Sequence, residues 1–576
     1  MIAQLWAPRA ETVELDTGGA RRPLQRDERG WWRDSSGNTI DGTYWYVVDG
    51  NQVPDPRSPA QPEGLEGGSQ LDDASTFAWT DDGWKGAPLA GSVIYEMHVG
   101  TFTPDGTFDA ATLRLDHLVD LGVTAVQVMP INTFPGRWGW GYDGALLYAP
   151  QWSYGGPDGF RRFVDACHAC SLAVVLDVVY NHLGPTGNHL GKFGPYFTDA
   201  HRTPWGDGVN LDGKDSDEVR RFILDNAVSW ITEFHVDGLR LDAVHALVDH
   251  TALHILEELA AEVHAAAAAA GREAFVIGES DLNDPRLVTT VELGGYQLDA
   301  VWSDDFHHGI HVALTGEQEG YYADYTGWDD VVRCLERGYK FDGIYSMERG
   351  RRHGRAAGSL PRRHFLGYSQ THDQVGNRAI GERLAHLVDA RRAQIAAALV
   401  LTSPFTPMLF QGEEWAASAP FQYFTDHQDP ELANAVREGR RREFGSVTNF
   451  SGQEVPDPQD EATYRRSILD WAEIDQGQHA EMLDWYRSLL RLRATSEDLR
   501  LDGPDDTSAA YDADAGWLQV RRGRALVAIN VSDDATRVSL DDAAVTIALT
   551  SGSAVIADGA LELARWTVAI LLPAEV

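Results

Sequence analysis

Between residues 91 and 497, short runs of consecutive apolar residues alternate with longer segments in which apolar residues recur at helical spacing. Runs of four to eight apolar residues are typical of strands buried on both faces, as in a parallel sheet covered by helices. Eight such runs occur, which is the number of strands that closes a barrel. The pattern predicts an α/β fold with a (β/α)8 TIM barrel, whose strands are SVIYEMHV, AVQVMP, LAVVLDVV, GLRLDAV, AFVIGE, DAVWSD, HFLGYSQ and PMLFQG.

The two ends of the chain have a different pattern, with short segments such as TYWYVVDG and ALVAINV separated by turn-forming residues. Alternation of apolar and polar residues predicts strands with one buried face. We therefore predict an N-terminal β-sandwich over residues 1–90, of an immunoglobulin-like, carbohydrate-binding-like kind, and a second β-sandwich over 498–576. The catalytic barrel is predicted over 91–497. The Pro- and Gly-rich stretch from Asn51 to Gly86 is predicted to be a long ordered loop.

Composition narrows the possible partners. Lys and Arg total 48 against 87 Asp and Glu, a net charge of −39 that repels nucleic acid and anionic lipid surfaces. No segment has the length and apolarity of a membrane span, and the first residues lack the pattern of a signal peptide. With three cysteines, too few to stabilise a secreted chain of this length, we expect a cytoplasmic protein without nucleic-acid or membrane partners.

Polar residues follow four of the predicted strands. They are Asp177, Asn181 and His182 after the third, Arg240, Asp242 and His245 on and after the fourth, Glu279 after the fifth, and His372 and Asp373 after the seventh. In a barrel of this type the active site lies at the carboxyl ends of the strands. One such carboxylate would be unremarkable, since strand-end carboxylates often cap a helix or pair with a cation, but four polar strand ends together predict a catalytic rim.

A glycosidic bond is cleaved by one carboxyl that donates a proton and one carboxylate that attacks or activates water. Arg240 and Asp242 are two residues apart, so both side chains leave the same face of a strand and the guanidinium favours an ionised Asp242. Glu279, with apolar neighbours, is expected to have a raised pKa suited to an acid. The rival interpretation, a barrel metallohydrolase, is disfavoured because the first strand holds the lone His98 rather than an HxH pair. We expect neither a metal nor a cofactor.

The segments DVVYNH, GLRLDAVH, VIGES and THDQVGN resemble, in this order, the four signature regions of the α-amylase superfamily. The resemblance implies that Asp242 is the nucleophile, Glu279 the general acid/base and Asp373 a third catalytic carboxylate. It also implies that Asp177 is a structural partner of Arg240. The predicted substrate-binding residues are Tyr142, His182, Arg240, His245, Asp304, Asp305 and His372.

A closer resemblance extends over nearly the whole chain. The N-terminal region and the segments QPEGLEGGSQ, NHLGPTGNHLGKFGPYFTD, HHGIHVALTGEQEGYYADY and LFQGEEWAASAPFQYFTDH are similar to the maltooligosyltrehalose trehalohydrolase family. This similarity implies hydrolysis, with retention, of the α-1,4 bond next to the trehalose end of maltooligosyl trehalose. Related α-glucans would also bind, and a maltooligosyl trehalose synthase would be the functional partner. His307, His308 and His311 are interpreted as sugar contacts or helix packing rather than as a metal site.

Two other functions fit parts of the pattern. A glycogen branching enzyme, a glucan transferase, shares the predicted layout and all four motifs. A non-catalytic α-glucan-binding protein would share the fold, but the complete set of Asp242, Glu279 and Asp373 argues against it.

Overall fold

The computed structural model describes residues 3–36, 39–203, 206–444, 455–500, 506–540 and 545–574. Eight parallel strands form a closed barrel, in which the eighth strand pairs with the first and Met408 lies opposite Ile94. All eight predicted strands are present, and the predicted fold class is confirmed. We number them β1 to β8: Ile94–Met97, Ala125–Val128, Ala173–Val178, Gly238–Leu241, Phe275–Gly278, Ala300–Trp302, Phe365–Gly367 and Thr406–Phe410.

Side chains alternate between the two faces of each barrel strand. Those pointing into the barrel form one buried cluster, and those pointing out pack against the helices in another. The barrel is thus filled by side chains and is not a channel. The interior cluster consists of Ile94, Ala125, Ala173, Val175, Phe275, Ile277, Ala300, Trp302, Leu366, Tyr368 and Met408.

The predicted helices surround the barrel. The alanine-rich one ends at Ala269, just before Gly271 adopts a positive φ of 69° that favours glycine. Among the described residues, no helix combines the length and apolarity that crossing a membrane requires. The α-helices are Val99–Phe102, Phe108–Thr112, Leu115–Leu121, Gly156–Ala169, Leu190–Phe193, Asp217–Thr232, Ile255–Ala269, Asp304–Thr315, Trp328–Arg337, His372–Gly376, Leu384–Leu387, Ala390–Thr402, Pro430–Phe444, Glu461–Arg466 and Gly477–Thr495.

Antiparallel sheets flank the barrel in sequence. The strands before it are Gln4–Trp6, Val13–Asp16, Arg21–Pro23, Gln25–Arg26, Trp31–Arg33, Thr43–Val48, Asn51–Val53 and Ser69–Gln70. They form two sheets, which the Tyr46 hydroxyl joins by donating to the Gln4 carbonyl at 3.0 Å. The strands after it also form two sheets: Thr507–Asp512, Trp517–Arg522, Ala525–Asn530, Thr536–Ser539, Val545–Thr550, Ala554–Ala557, Ala560–Leu563 and Val568–Pro573. The domain boundaries at residues 90 and 498 stay predictions.

Three two-stranded hairpins lie in the loops of the barrel. They are Asn132–Thr133 with Leu146–Pro150, Phe197–Thr203 with Gly206–Val209, and Asp342–Ser346 with Arg351–Gly354. The first two follow β2 and β3 at their carboxyl ends, where a barrel carries its functional loops, and the third lies between helix Trp328–Arg337 and β7.

The loop that enters the barrel domain closes the amino-terminal end of the barrel. Trp84, with Ala87 and Leu89, packs against the interior cluster. The Trp84 indole donates to Asp237 Oδ1 at 2.7 Å, and the backbone of Lys85 accepts a bond from Glu273 N at 2.8 Å. The predicted long ordered loop is therefore tied to the barrel by hydrogen bonds and apolar contacts.

Asp237, buried just before β4, holds this closure together. Its Oδ2 accepts from Val174 N at 2.8 Å and lies 2.9 Å from Nε2 of His168, while Oδ1 accepts from Trp84. Removal of the carboxylate would leave buried donors without an acceptor, which costs more than the loss of an exposed pair.

We predict that Asp237→Ala lowers the free energy of unfolding by about 3–5 kcal/mol. The matched control is Asp109→Ala, which removes an exposed pair with Arg162 at 2.9 Å and costs less than about 1 kcal/mol. The shift of the urea unfolding midpoint measures both. Equal shifts for the two variants would show that Asp237 does not stabilise the closure.

Candidate active site

The predicted catalytic rim forms at the carboxyl ends of the strands. There the inward-facing positions continue beyond the apolar interior of the barrel and hold polar residues. On β3, β4 and β5, inward-facing positions are occupied by Val175, Gly238 and Ile277, respectively. The next inward-facing positions, two residues later, hold Asp177, Arg240 and Glu279. All three side chains therefore point to the same end of the barrel axis.

A buried guanidinium lies at the centre of the rim. Nη1 of Arg240 donates to both oxygens of Asp177 at 2.8 Å and to Oδ1 of Asp242 at 2.8 Å. Its Nη2 lies 3.6 Å from Oε2 of Glu279. The aromatic ring of Trp302 lies 4.4 Å from the guanidinium carbon, which excludes water on that side. The predicted partnership of Asp177 with Arg240 is present in the structure.

Asp242 accepts hydrogen bonds from two sides. Asn181 Nδ2 donates to its Oδ2 at 2.7 Å and to its backbone carbonyl at 2.8 Å, while Arg240 holds the other carboxylate oxygen. A carboxylate that accepts from a guanidinium is stabilised in its charged form. This geometry fixes the orientation of the Asp242 side chain.

Glu279 has a different environment. Burial raises its pKa to about 8; the Arg240 charge opposes this rise and the charge of Asp242 adds to it. Its Oε2 accepts from Ala243 N at 2.6 Å, and Ala243 adopts a left-handed backbone with φ of 40°. One carboxyl of the pair is therefore protonated at neutral pH, and it faces the same guanidinium as Asp242.

Tyr142 and His372 form a stacked pair beside Asp177. Their ring centroids are 5.1 Å apart, and the Tyr142 hydroxyl lies 2.8 Å from His372 Nε2 while donating to Asp177 at 2.7 Å. Burial lowers the pKa of His372, but Asp373 and Glu96 outweigh burial and raise it to about 9. Nδ1 of His372 lies against Glu96 and Nε2 against the Tyr142 hydroxyl, so both ring nitrogens have protein partners, and the side chain is 1% exposed.

Asp373, His182 and His245 differ in exposure. Asp373 follows His372, with 3.4 Å between His372 Nε2 and its Oδ1, and its side chain is 41% exposed, which leaves it free to contact a ligand. His182 lies 2.5 Å from Asn181 Oδ1, and burial lowers its pKa. His245 is exposed on the short turn Val244–Ala246.

Asp304 and Asp305 begin the helix after β6, and the structure separates their roles. Asp304 accepts from the Tyr368 hydroxyl at 2.5 Å, and burial raises its pKa to about 6. Asp305 is buried and accepts from Asn283, Tyr325 and the backbone N–H groups of residues 340 and 341. With four protein donors on its carboxylate, the geometry gives no support to the prediction that it contacts a sugar.

The three histidines of helix Asp304–Thr315 take part in packing. His307 lies 2.8 Å from the Ser369 carbonyl, and His311 lies 2.8 Å from Glu317 and stacks on Tyr322 at 4.2 Å. Burial lowers the pKa of His308 to about 3. These contacts agree with the interpretation of the segment as helix packing.

Comparison with known proteins identifies the family. The alpha amylase catalytic domain matches residues 62–193. A malto-oligosyltrehalose trehalohydrolase of Mycobacterium tuberculosis is 47% identical, covering 99% of each chain, and one of Arthrobacter ramosus is 52% identical, covering 90% of this chain and 91% of that protein. The chain belongs to the malto-oligosyltrehalose trehalohydrolase family.

A Salmonella typhimurium crystal structure, described as a candidate alpha amylase, superposes with TM-score 0.91 and 37% identity over 99% of this chain and 97% of that one.

Membership of the trehalohydrolase family confirms the predicted glycoside hydrolase class. The rival prediction has weaker support, because a 1,4-alpha-glucan branching enzyme of Vibrio parahaemolyticus is 31% identical over 42% of this chain and 36% of its own length. The catalytic and substrate-binding roles of the individual residues stay predictions.

Sequence reasoning missed three residues of this trehalohydrolase-family site. Glu96 on β1 is fully buried, lies 2.8 Å from His372 Nδ1 and accepts from the His372 backbone at 2.9 Å. Trp302 lies beside the guanidinium, and Tyr368 donates to Asp304. Glu96 is two residues after Ile94 in an apolar run, so inward alternation along β1 was a signal that could have identified it.

We predict a basic limb in the pH profile of kcat/KM with an apparent pKa near 8, the value given by the burial of Glu279. Above that pH the carboxyl loses the proton that a sugar leaving group needs, so activity falls about tenfold per pH unit. With a glycosyl fluoride, whose leaving group needs no proton, the limb should flatten. A limb near pH 5, or the same limb with both substrates, would contradict the assignment of Glu279 as acid.

Proposed function

We propose that the chain hydrolyses the α-1,4-glucosidic bond that joins trehalose to a maltooligosyl chain, with retention of configuration. The observation that supports this most is the arrangement around Arg240, which donates to the carboxylate of Asp242 and faces Glu279, whose pKa is raised by burial. The trehalose specificity rests on similarity to relatives whose names state it.

In the first step, Glu279 donates its proton to the glycosidic oxygen while a carboxylate oxygen of Asp242 attacks the anomeric carbon. The carbon–oxygen bond breaks, and trehalose leaves with a new hydroxyl. In the second step, ionised Glu279 takes a proton from water, the water oxygen attacks the anomeric carbon, and the bond to Asp242 breaks. The maltooligosaccharide leaves in the α configuration.

Arg240 serves both steps. Its Nη2 and Nε have no hydrogen-bond partner among the described residues, and Nη2 is the atom closest to Glu279. When Glu279 becomes ionised after the first step, this donor can stabilise the new carboxylate. The covalent bond to the sugar also removes the charge of Asp242, which raises the pKa of Glu279, so this pKa falls at the stage when Glu279 acts as a base.

The sugar at the cleavage point would lie between Tyr142, His182, His372 and Asp373. A cavity of about 560 Å³ adjoins Asp373, because its lining residue Asn377 donates to Asp373 at 3.3 Å. We assign this cavity to the trehalose side, and we assign Asp304 a contact with the sugar. Asp305 is assigned a structural role instead, and exposed His245 a contact at the periphery.

The cellular setting follows from the same assignment. The substrates are maltooligosyl trehalose and related α-glucans, and a maltooligosyl trehalose synthase would supply the first of them. We place the reaction in the cytoplasm, without nucleic-acid or membrane partners, and the proposed chemistry uses no cofactor.

Incubation with maltooligosyl trehalose tests the proposal directly. We predict release of trehalose, measured by chromatography, and a loss of roughly 10⁴-fold or more in the Asp242→Asn variant, which cannot form the covalent intermediate. The matched control Asp329→Asn changes an exposed aspartate on helix Trp328–Arg337 and should retain full activity.

The same incubation separates the rival functions. A branching enzyme would increase the branch content of amylose and release no trehalose. A binding protein would retain the glucan without any product. Either result, or full activity of Asp242→Asn, would overturn the proposal.

A further inference from the structure

Two histidines and an aspartate converge outside the catalytic rim. His201 lies on the hairpin strand Phe197–Thr203, Asp212 follows that hairpin, and His250 lies in the loop after β4. Nε2 of His201 is 3.0 Å from both oxygens of Asp212, and Nδ1 of His250 is 3.2 Å from Oδ2. The hairpin segment and the loop after β4 thus bring three metal-ligating side chains to one point.

The distances fit a tetrahedral zinc ion. Zinc binds imidazole nitrogen and carboxylate oxygen at about 2.0–2.2 Å, which places neighbouring ligand atoms roughly 3.4 Å apart. The three ligand atoms all lie within 4.8 Å of one another. Small rotations of the side chains are therefore enough to admit the ion, and a fourth position is left for water.

The ligand set favours zinc over a hard cation. Calcium and magnesium prefer oxygen ligands, whereas two imidazoles with one carboxylate suit a first-row transition metal. Among the described residues, this is the one group of three or more such side chains with convergent ligand atoms.

The backbone on both sides of the cluster is already ordered. Next to His250, buried Asp249 accepts from Arg220 at 2.6 Å and from Ile255 N at 2.7 Å. Next to Asp212, Gly213 N donates to Asn210 at 3.0 Å. Binding would therefore require little ordering of the chain, which favours affinity.

We propose that His201, Asp212 and His250 form a zinc site that fastens the hairpin Phe197–Thr203/Gly206–Val209 to the loop following the β4 strand. That loop begins within a few residues of Asp242, so the ion would hold one side of the active-site rim. The inference does not depend on the proposed function, and it differs from the expectation that the active site itself needs no metal.

Calorimetric titration of the chelator-treated full chain with Zn²⁺ tests this inference. We expect one equivalent to bind, and His250→Gln and Asp212→Asn each to weaken binding by more than about 100-fold, beyond the roughly 10–100-fold loss typical of residues that only support ligands. Because the His250 side chain is 74% exposed, His250→Gln should fold normally. Co²⁺ in place of zinc should give visible absorption bands that the variants lack.

The matched control is His264→Gln, which removes a half-exposed histidine paired with the single carboxylate of Asp299 at 2.9 Å. This variant should bind zinc with unchanged affinity and stoichiometry. The proposal is overturned if the unaltered chain binds no saturating equivalent, or if the His250 and Asp212 variants bind as the control does. In either case the three residues are ion pairs only.

Discussion

The active site depends on one buried positive charge. The guanidinium of Arg240 is excluded from water, and a buried charge of this kind is tolerated only when it is paired and hydrogen-bonded. Both carboxylate oxygens of Asp177 accept hydrogen bonds from Nη1 of Arg240, and Oδ1 of Asp242 accepts a hydrogen bond from the same nitrogen. Because Asp177 already neutralises the charge of Arg240, Asp242 is not needed for that purpose. The hydrogen bond from Arg240 instead holds Asp242 in place.

The same guanidinium lies closer to one of two nearby carboxyls than to the other. Asp242 has two donors on its carboxylate, whereas Glu279 has a backbone N–H and a more distant Nη2, so burial dominates its pKa. Neighbouring charges also set a pKa elsewhere on the rim. Glu96 and Asp373 raise the pKa of the buried imidazole of His372 to about 9. Environment rather than residue type therefore sets the properties of these titratable groups.

The sequence predicted the barrel and the position of Arg240, Asp242 and Glu279 at one end of it, because both depend on local patterns. Eight apolar runs gave the strands, and the period of two along a strand placed Arg240 and Asp242 on one face. The partners of Asp305 could not be predicted from such local patterns. Its neighbour Asp304 accepts a hydrogen bond from Tyr368, whereas Asp305, the next residue on the helix, accepts hydrogen bonds from loops distant in sequence. The zinc cluster also could not be predicted, since His201, Asp212 and His250 converge only through tertiary structure.

The most direct measurement is the identification of the covalent intermediate. In the Glu279→Gln variant, a maltosyl fluoride can form the glycosyl-enzyme without an acid, while its hydrolysis stalls without a base. Peptide mass spectrometry of the quenched enzyme should then find the added maltosyl group on Asp242. A maltosyl group on any other carboxylate, or hydrolysis without an accumulated adduct at saturating fluoride, would contradict the division of roles around Arg240.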